Sequence, residues 1–219
     1  MPVIAYVIVG VIAYLLGSIP TGYLVGKGRG IDIRSVGSGN IGATNVFRTL
    51  GKPAGIFVLI VDALKGWIAV ALVARWVAHW YQPGSDFAAR EWLAICAAIW
   101  AVLGHNYTCW LQFKGGKGIA TSAGVLTALV PLSVVIIVSI WIVVVAVSRY
   151  VSLASILAAF SLPIATWLTG DTITMIVVSG IIGALAIYKH KANIKRLLNG
   201  TENRFGKKPP AANADAPKA

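Results

Sequence analysis

Residues 119–130 read IATSAGVLTALV, an uninterrupted, mostly apolar stretch closed by Pro131. At about 1.5 Å per residue, a helix of that length reaches roughly 18 Å, well short of the ~30 Å hydrocarbon core of a bilayer. The runs around it approach or exceed a full span. Upstream are Val3–Val25, Ala54–Trp80 and Trp92–Leu111. Downstream are Leu132–Val147, Ser152–Leu168 and Thr172–Tyr188, the last two joined by the turn Thr169-Gly170-Asp171. Whether residues 119–130 cross the membrane decides the side on which every later loop lies.

Composition supports a membrane setting. The chain is 58% hydrophobic and 12% charged, against about 25% charged residues in soluble domains. Its net charge of +12 would suggest nucleic acid in a soluble protein. Here the cations sit beside apolar runs, where they set orientation or meet anionic lipids and substrates. No nucleic-acid partner is expected. If residues 119–130 do reverse the chain, then 26–53, 112–118, 149–151 and 189–219 share one side, and they hold 16 of the 19 Lys and Arg. If they do not, that bias collapses. The positive-inside rule therefore predicts an all-α polytopic membrane protein of seven transmembrane segments, one short, with the N-terminus outside and the C-terminus cytoplasmic.

Residues 1–202 read as one membrane-embedded domain. From Asn203 to Ala219 the composition turns to Lys, Pro, Ala and Asn, predicting a disordered cytoplasmic tail. Cys96 and Cys109 give no disulfide framework. Lys27 is the first charge, so the positive region of a cleavable signal is missing and the first run is expected to remain as a span.

Three polar islands fall on the predicted cytoplasmic face. The first contains GSGNIGATNVFR, Gly37–Arg48. Ser38 can N-cap a helix starting near Asn40, leaving amide groups and positive partial charge toward an anion, with Arg48 about two turns in. The same residues could simply make a glycine-rich turn. The second is GHNYTCWLQFKGGKGIAT, Gly104–Thr121. Its Lys114-Gly115-Gly116-Lys117-Gly118 run has the makings of a phosphate cradle, since glycines allow close backbone approach and lysines add charge. It lacks the nucleotide P-loop pattern, with Leu111 and Gly118 at the positions that motif needs as Gly and Ser/Thr. A basic juxtamembrane loop would look the same. His105 and Cys109 have ligand spacing but no third or fourth partner nearby, so no metal is expected.

The third island is KHKANIKRLLNGTE, Lys189–Glu202. His190 and Asn193 share a helical face at the membrane boundary. His190 could serve as a base or hydrogen-bond a phosphate, and a helix lying on anionic headgroups is the alternative. Arg149, Ser152 and Ser155 open the sixth segment on the same side, where hydroxyls suit phosphate. Asp62 and Lys65, one turn apart within the second segment, read as an ion pair in the bundle that could also face the cavity. Together the islands describe an anion site at the cytoplasmic surface. Carboxylates are too scarce for metal-dependent phosphoryl chemistry. The residues alone do not separate an enzyme from a transporter of an anionic phosphorylated metabolite.

GSGNIGATNVFR, GH followed by FKGGKGIAT, and KHKANIKRLLNGTE resemble the three signature motifs of the bacterial acyl-phosphate:glycerol-3-phosphate acyltransferases. RYVSLASI at Arg149–Ile156 and DALKG at Asp62–Gly66 match as well. The likeness covers nearly everything but the tail. Tyr107-Thr108 departs from it, standing where the family usually has an aromatic residue followed by Pro. The His-x4-Asp motif of the other acyltransferase type is absent, because Gly84, Trp110 and Lys195 follow the three histidines at that spacing.

The resemblance implies transfer of a fatty acyl group from acyl phosphate to the sn-1 hydroxyl of glycerol 3-phosphate. The products are lysophosphatidic acid and phosphate, in the first step of phospholipid synthesis at the bacterial inner membrane, with no cofactor. It assigns catalysis to Ser38, Arg48, His190 and Asn193. Substrate binding falls to Gly39, Asn40, Thr44 and Asn45, to Lys114, Gly115, Gly116, Lys117 and Gly118, and to Thr121, Arg149, Ser152 and Ser155. Membrane lipid, and transiently the enzyme that supplies acyl phosphate, are the partners it implies.

Overall fold

The structure, a computed structural model, describes residues 2–81, 84 and 86–206. Every apolar run is helical, and no strand occurs among the described residues. The first run is α1 (Pro2–Ser18) followed by α2 (Thr21–Lys27). The break falls at Ile19-Pro20, where proline has no N–H and disfavours a helical residue before it. Thr21 N donates locally to Ile19 O at 3.0 Å, and side chains from elsewhere in the chain reach the carbonyls at the break. Lys65 Nζ donates to Ile19 O at 2.7 Å, and Thr108 Oγ1 donates to Ser18 O at 2.6 Å.

A polar loop leads into α3 (Ala43–Leu50), which turns sharply at Gly51 into α4 (Lys52–Ile68). A π turn at Ala69–Val73 interrupts this second run before α5 (Ala74–Tyr81). Next, α6 (Phe87–Asn106) is N-capped by Asp86, whose Oδ1 accepts Ala89 N at 2.8 Å. The short segment forms α7 (Ile119–Leu129) and α8 (Pro131–Ser148) follows at once. α9 (Val151–Leu168) and α10 (Ile173–Lys189) complete the long helices, and α11 (Lys191–Leu198) leaves α10 at a 58° bend.

Five helices are long and apolar enough to cross a membrane, or six if the bent α10–α11 pair is one span. Helix α7 falls short of that length, as the sequence predicts. It is held inside the bundle by backbone-to-backbone packing on α4. A Cβ at Gly124 would collide with the Ala63 carbonyl, and one at Gly66 with the Thr121 carbonyl. Small residues at such crossings let helices meet where no hydrophobic effect drives them together. Helix α1 lies along α6, and α8, α9 and α10 pack in sequence order. The core joins Ala5, Val9 and Ala13 of α1 to Leu93, Ala97 and Ala101 of α6.

Residues 203–206, the start of the expected tail, are placed against the bundle. Phe205 N donates to Arg149 O at 2.7 Å, and its ring packs on Phe47 with centroids 5.4 Å apart. The rest of the tail, 207–219, lies outside the described residues.

Candidate active site

The three islands meet at one end of the bundle around a cavity of about 130 Å³. Of the residues singled out in the sequence, Ser38, Asn40, Thr44, Asn45, Arg48, Lys117, Gly118, Ser152, Ser155, His190 and Asn193 line it. Gly39, Lys114, Gly115, Gly116, Thr121 and Arg149 do not. Lys114 and Arg149 are exposed, and Arg149 ends α8 with φ 62°. Gly39 takes φ 69° in an exposed turn. Gly115 and Gly116 turn inward, their N–H groups donating to Asn106 O at 3.2 Å and His105 O at 3.0 Å. Thr121 is wholly buried against α4.

The first island starts its helix later than expected. Helix α3 begins at Ala43 with Gly42 in the cap position, and Ser38 does not cap it. The loop's amide side chains are spent on the loop itself. Asn45 Oδ1 accepts Ser38 N at 2.8 Å, its Nδ2 donates to Ile33 O and Val36 O, and Asn40 Oδ1 accepts Gly42 N at 2.8 Å. Positive φ at Gly37 and Gly39 makes this folding possible. Arg48 consequently sits in the last turn of α3, where Nη2 reaches Asn203 O at 3.4 Å.

Lys117 enters from the second island, and its Nζ donates to Asn193 Oδ1. Gly118, at φ 79°, is held beside the Asn106 amide, where a Cβ would strike Oδ1. That glycine lets the loop turn directly into α7, whose first residues, Ile119 and Ala120, form the adjoining wall. His190 sits at the α10–α11 bend rather than within one continuous helix. Its Nδ1 lies 2.8 Å from Ala186 O. A carbonyl only accepts, so Nδ1 carries the hydrogen and Nε2 of the neutral ring is left as an acceptor.

Asp62 faces the cavity, the possibility left open beside its pairing with Lys65, and Glu202, His105 and Trp141, which the sequence did not mark as site residues, line it too. Glu202 ties the third island together. Its Oε1 accepts Asn193 Nδ2 at 2.8 Å and Ser152 Oγ at 3.0 Å, and its Oε2 accepts Arg196 Nε at 2.7 Å. As the sole carboxylate of residues 172–206, inside a basic motif, it carried a readable signal. Asp62 forms the expected pair with Lys65, N···O 2.8 Å, and also accepts Thr21 Oγ1 at 2.9 Å.

Burial lowers the Lys117 ammonium to about 8, with Arg196, Arg48 and Lys189 adding repulsion that Glu202 partly offsets. Burial also lowers the Arg48 guanidinium. Burial works against the Glu202 charge, but bonds from Asn193, Arg196 and Ser152 outweigh it and hold the carboxyl below its usual range. The cavity thus sets two cations, Arg48 and Lys117, against two carboxylates that are already engaged, Glu202 by Asn193, Ser152 and Arg196 and Asp62 by Lys65 and Thr21. Ser155 is not set up as a nucleophile, since its hydroxyl donates to Val151 O, and the Ser152 hydroxyl serves as one of the three donors that hold Glu202. Leu59, Trp141 and Val151 supply an apolar flank.

Residues 7–200 match the family described as glycerol-3-phosphate acyltransferase. The chain belongs to that family. A glycerol-3-phosphate acyltransferase of Geotalea daltonii is 51% identical, covering 88% of this chain and 94% of the relative. One from Geobacter sulfurreducens is 46% identical over 89% and 94%. Crystal structures of PlsY (YgiH), an integral membrane glycerol 3-phosphate acyltransferase, superpose with TM-scores of 0.81 for its glycerol 3-phosphate form and 0.79 for its lysophosphatidic acid form. Both are 40% identical to this chain and cover 92% of it. This acyltransferase is accordingly a multi-pass membrane protein of bacterial type.

Proposed function

We propose that the chain acylates the sn-1 hydroxyl of glycerol 3-phosphate with acyl phosphate as donor, giving lysophosphatidic acid and inorganic phosphate. The observation that carries this reading is a cavity that places Lys117, Arg48 and the amide groups opening α7 beside an apolar flank. A mixed anhydride needs little covalent help, so placing two phosphates and stabilising the oxyanion can suffice. Lys117, the amide groups opening α7 and the Ser38–Asn45 loop hold phosphate. Arg48 and Asn193 orient the second anion, while Ser152 and Ser155 border it. The acyl chain lies along Leu59, Trp141 and Val151.

The step is a direct displacement. The sn-1 oxygen bonds to the acyl carbonyl carbon as the carbon–oxygen bond to phosphate breaks. His190 Nε2 accepts the hydroxyl hydrogen, and the departing phosphate finally takes the proton. Transport of a phosphorylated metabolite is the poorer reading, because the relatives above are acyltransferases and the phosphate-binding groups gather at one end of the bundle.

The same proposal includes the topology: seven spans with α7 the short one, N-terminus outside, and the site on the cytoplasmic face of the inner membrane. Residues 1–202 form the acyltransferase domain and 203–219 its tail. An acyl phosphate producer would deliver its product to that face. The test incubates purified protein with glycerol 3-phosphate and palmitoyl phosphate, following lysophosphatidic acid and phosphate. Equimolar release of the two is expected. Turnover with palmitoyl-CoA or acyl carrier protein, and none with palmitoyl phosphate, would overturn the reading.

A further inference from the structure

A second and larger cavity, of about 820 Å³, lies at the other end of the bundle. Arg75 on its rim is roughly 20 Å further along the α4–α5 run than Asp62 of the candidate site. The volume falls within the ~300–1,000 Å³ typical of small-molecule sites. It exists because its walls are built from alanine: Ala71, Ala74, Ala78, Ala94 and Ala128. The π turn at Ala69–Val73 contributes Val70 and Ala71 to the same wall. Such turns are uncommon and concentrate at functional sites.

The rim is charged in both signs. Arg75 and Arg90 line it together with Glu91 and Asp171, and His79 stands beside them. Asp171 is fixed in place, its Oδ2 accepting Thr169 Oγ1 at 2.7 Å. Between α4 and α6 on this side, and at the α9–α10 turn, the only other charged side chain is Asp86, which caps α6. The few charges at this end therefore converge on one opening. Exposed Trp76, Trp80, Trp92 and Trp167 occur on the same helix ends, an aromatic belt of the kind found at headgroup depth.

We propose that this cavity binds a glycerophospholipid with a zwitterionic headgroup carrying a primary ammonium. Its phosphate faces Arg75 and Arg90, its ammonium faces Glu91 and Asp171, and one acyl chain lies against the alanine wall. A purely anionic lipid would satisfy the arginines and be repelled by the carboxylates. The site is independent of the acyl-transfer reaction and of which leaflet this end meets.

The test uses delipidated full-length protein and native mass spectrometry, with palmitoyl-oleoyl phosphatidylethanolamine and phosphatidylglycerol as probes. One phosphatidylethanolamine should be retained per chain, about tenfold more tightly than phosphatidylglycerol. Arg75→Gln, at an exposed position, should weaken that retention by about tenfold, the scale of one charged hydrogen bond. Ala94→Leu, filling a half-buried part of the wall, should abolish it. Acyl transfer should be unchanged in both, which separates this site from lipid held at the candidate active site. Equal retention of the two lipids, tighter retention of phosphatidylglycerol, or retention of phosphatidylethanolamine unaltered in both variants would overturn the proposal.

Discussion

Asn193 donates its amide hydrogen to Glu202 Oε1 at 2.8 Å while its own oxygen receives the Lys117 ammonium, so one side chain joins the second island to the third. Asn193→Ala removes both bonds at once. A charged hydrogen bond is worth about 1.5–3 kcal/mol, so kcat/KM should fall tenfold or more while the protein still inserts and purifies. A fully active Asn193→Ala enzyme would detach α11 from the site.

The depressed Lys117 ammonium sets an alkaline limit. With its value in the free enzyme at about 8, the lysine is charged below that pH and neutral above it. Its hold on phosphate is thus present at lower pH and lost as pH rises. The kcat/KM profile, which reports free-enzyme groups, should fall on the alkaline side near pH 8. Lys117→Arg keeps its charge there and should move that limb upward, even if the maximum drops. A limb that stays in place assigns it to another group.

His190 offers Nε2 as an acceptor because Ala186 O takes the other ring hydrogen. His190→Ala should lower kcat by about 10²–10⁴, the usual range for a positioned proton acceptor, and change apparent affinity for glycerol 3-phosphate much less. An increase in KM alone would reduce the histidine to a binding group.

The Asp62–Lys65 pair is buried, both side chains being 3% exposed. Asp62→Ala would leave an uncompensated ammonium, at a cost on the order of 3–5 kcal/mol. Thermal unfolding in detergent should show a large drop. The double change Asp62→Leu with Lys65→Met should recover most of it. Equal losses in the single and double variants would mean the pair matters through Thr21 and Ile19 instead.

Topology is open to single-cysteine labelling after Cys96 and Cys109 are replaced. Cysteines at exposed Ser35 and Asn199 should resist an impermeant thiol reagent in intact cells, and one at exposed Tyr81 should react. Labelling of Ser35→Cys from outside would invert the arrangement.

The helices were legible because apolar runs of membrane length leave few alternatives, and even the shortness of α7 could be read from a count. What was not legible depends on the third dimension. The turn at Gly37 and Gly39 delays α3, a feature of backbone dihedrals that residue type only permits. Gly116 and Thr121 belong to the right motif yet face inward, since the loop packs its backbone on His105 and α7 packs on α4. His105 and Trp141 reach the cavity from inside apolar segments, where a lone polar or aromatic residue has many other uses. Glu202, the sole carboxylate of residues 172–206, was legible as the counter-charge of its basic motif, but its bonds to Asn193 and Ser152 were not.

The break at Ile19-Pro20 has a consequence for how the protein is made. Ser18 O is closed by Thr108, near the end of the third long run, and Ile19 O, which accepts Thr21 N locally, gains Lys65 from within the second. The first segment therefore enters the bilayer with an unfinished joint. Its final shape is set when later chain arrives, so early insertion and final assembly are separate events, and a truncated product ending before Thr108 should be a ready target for membrane quality control.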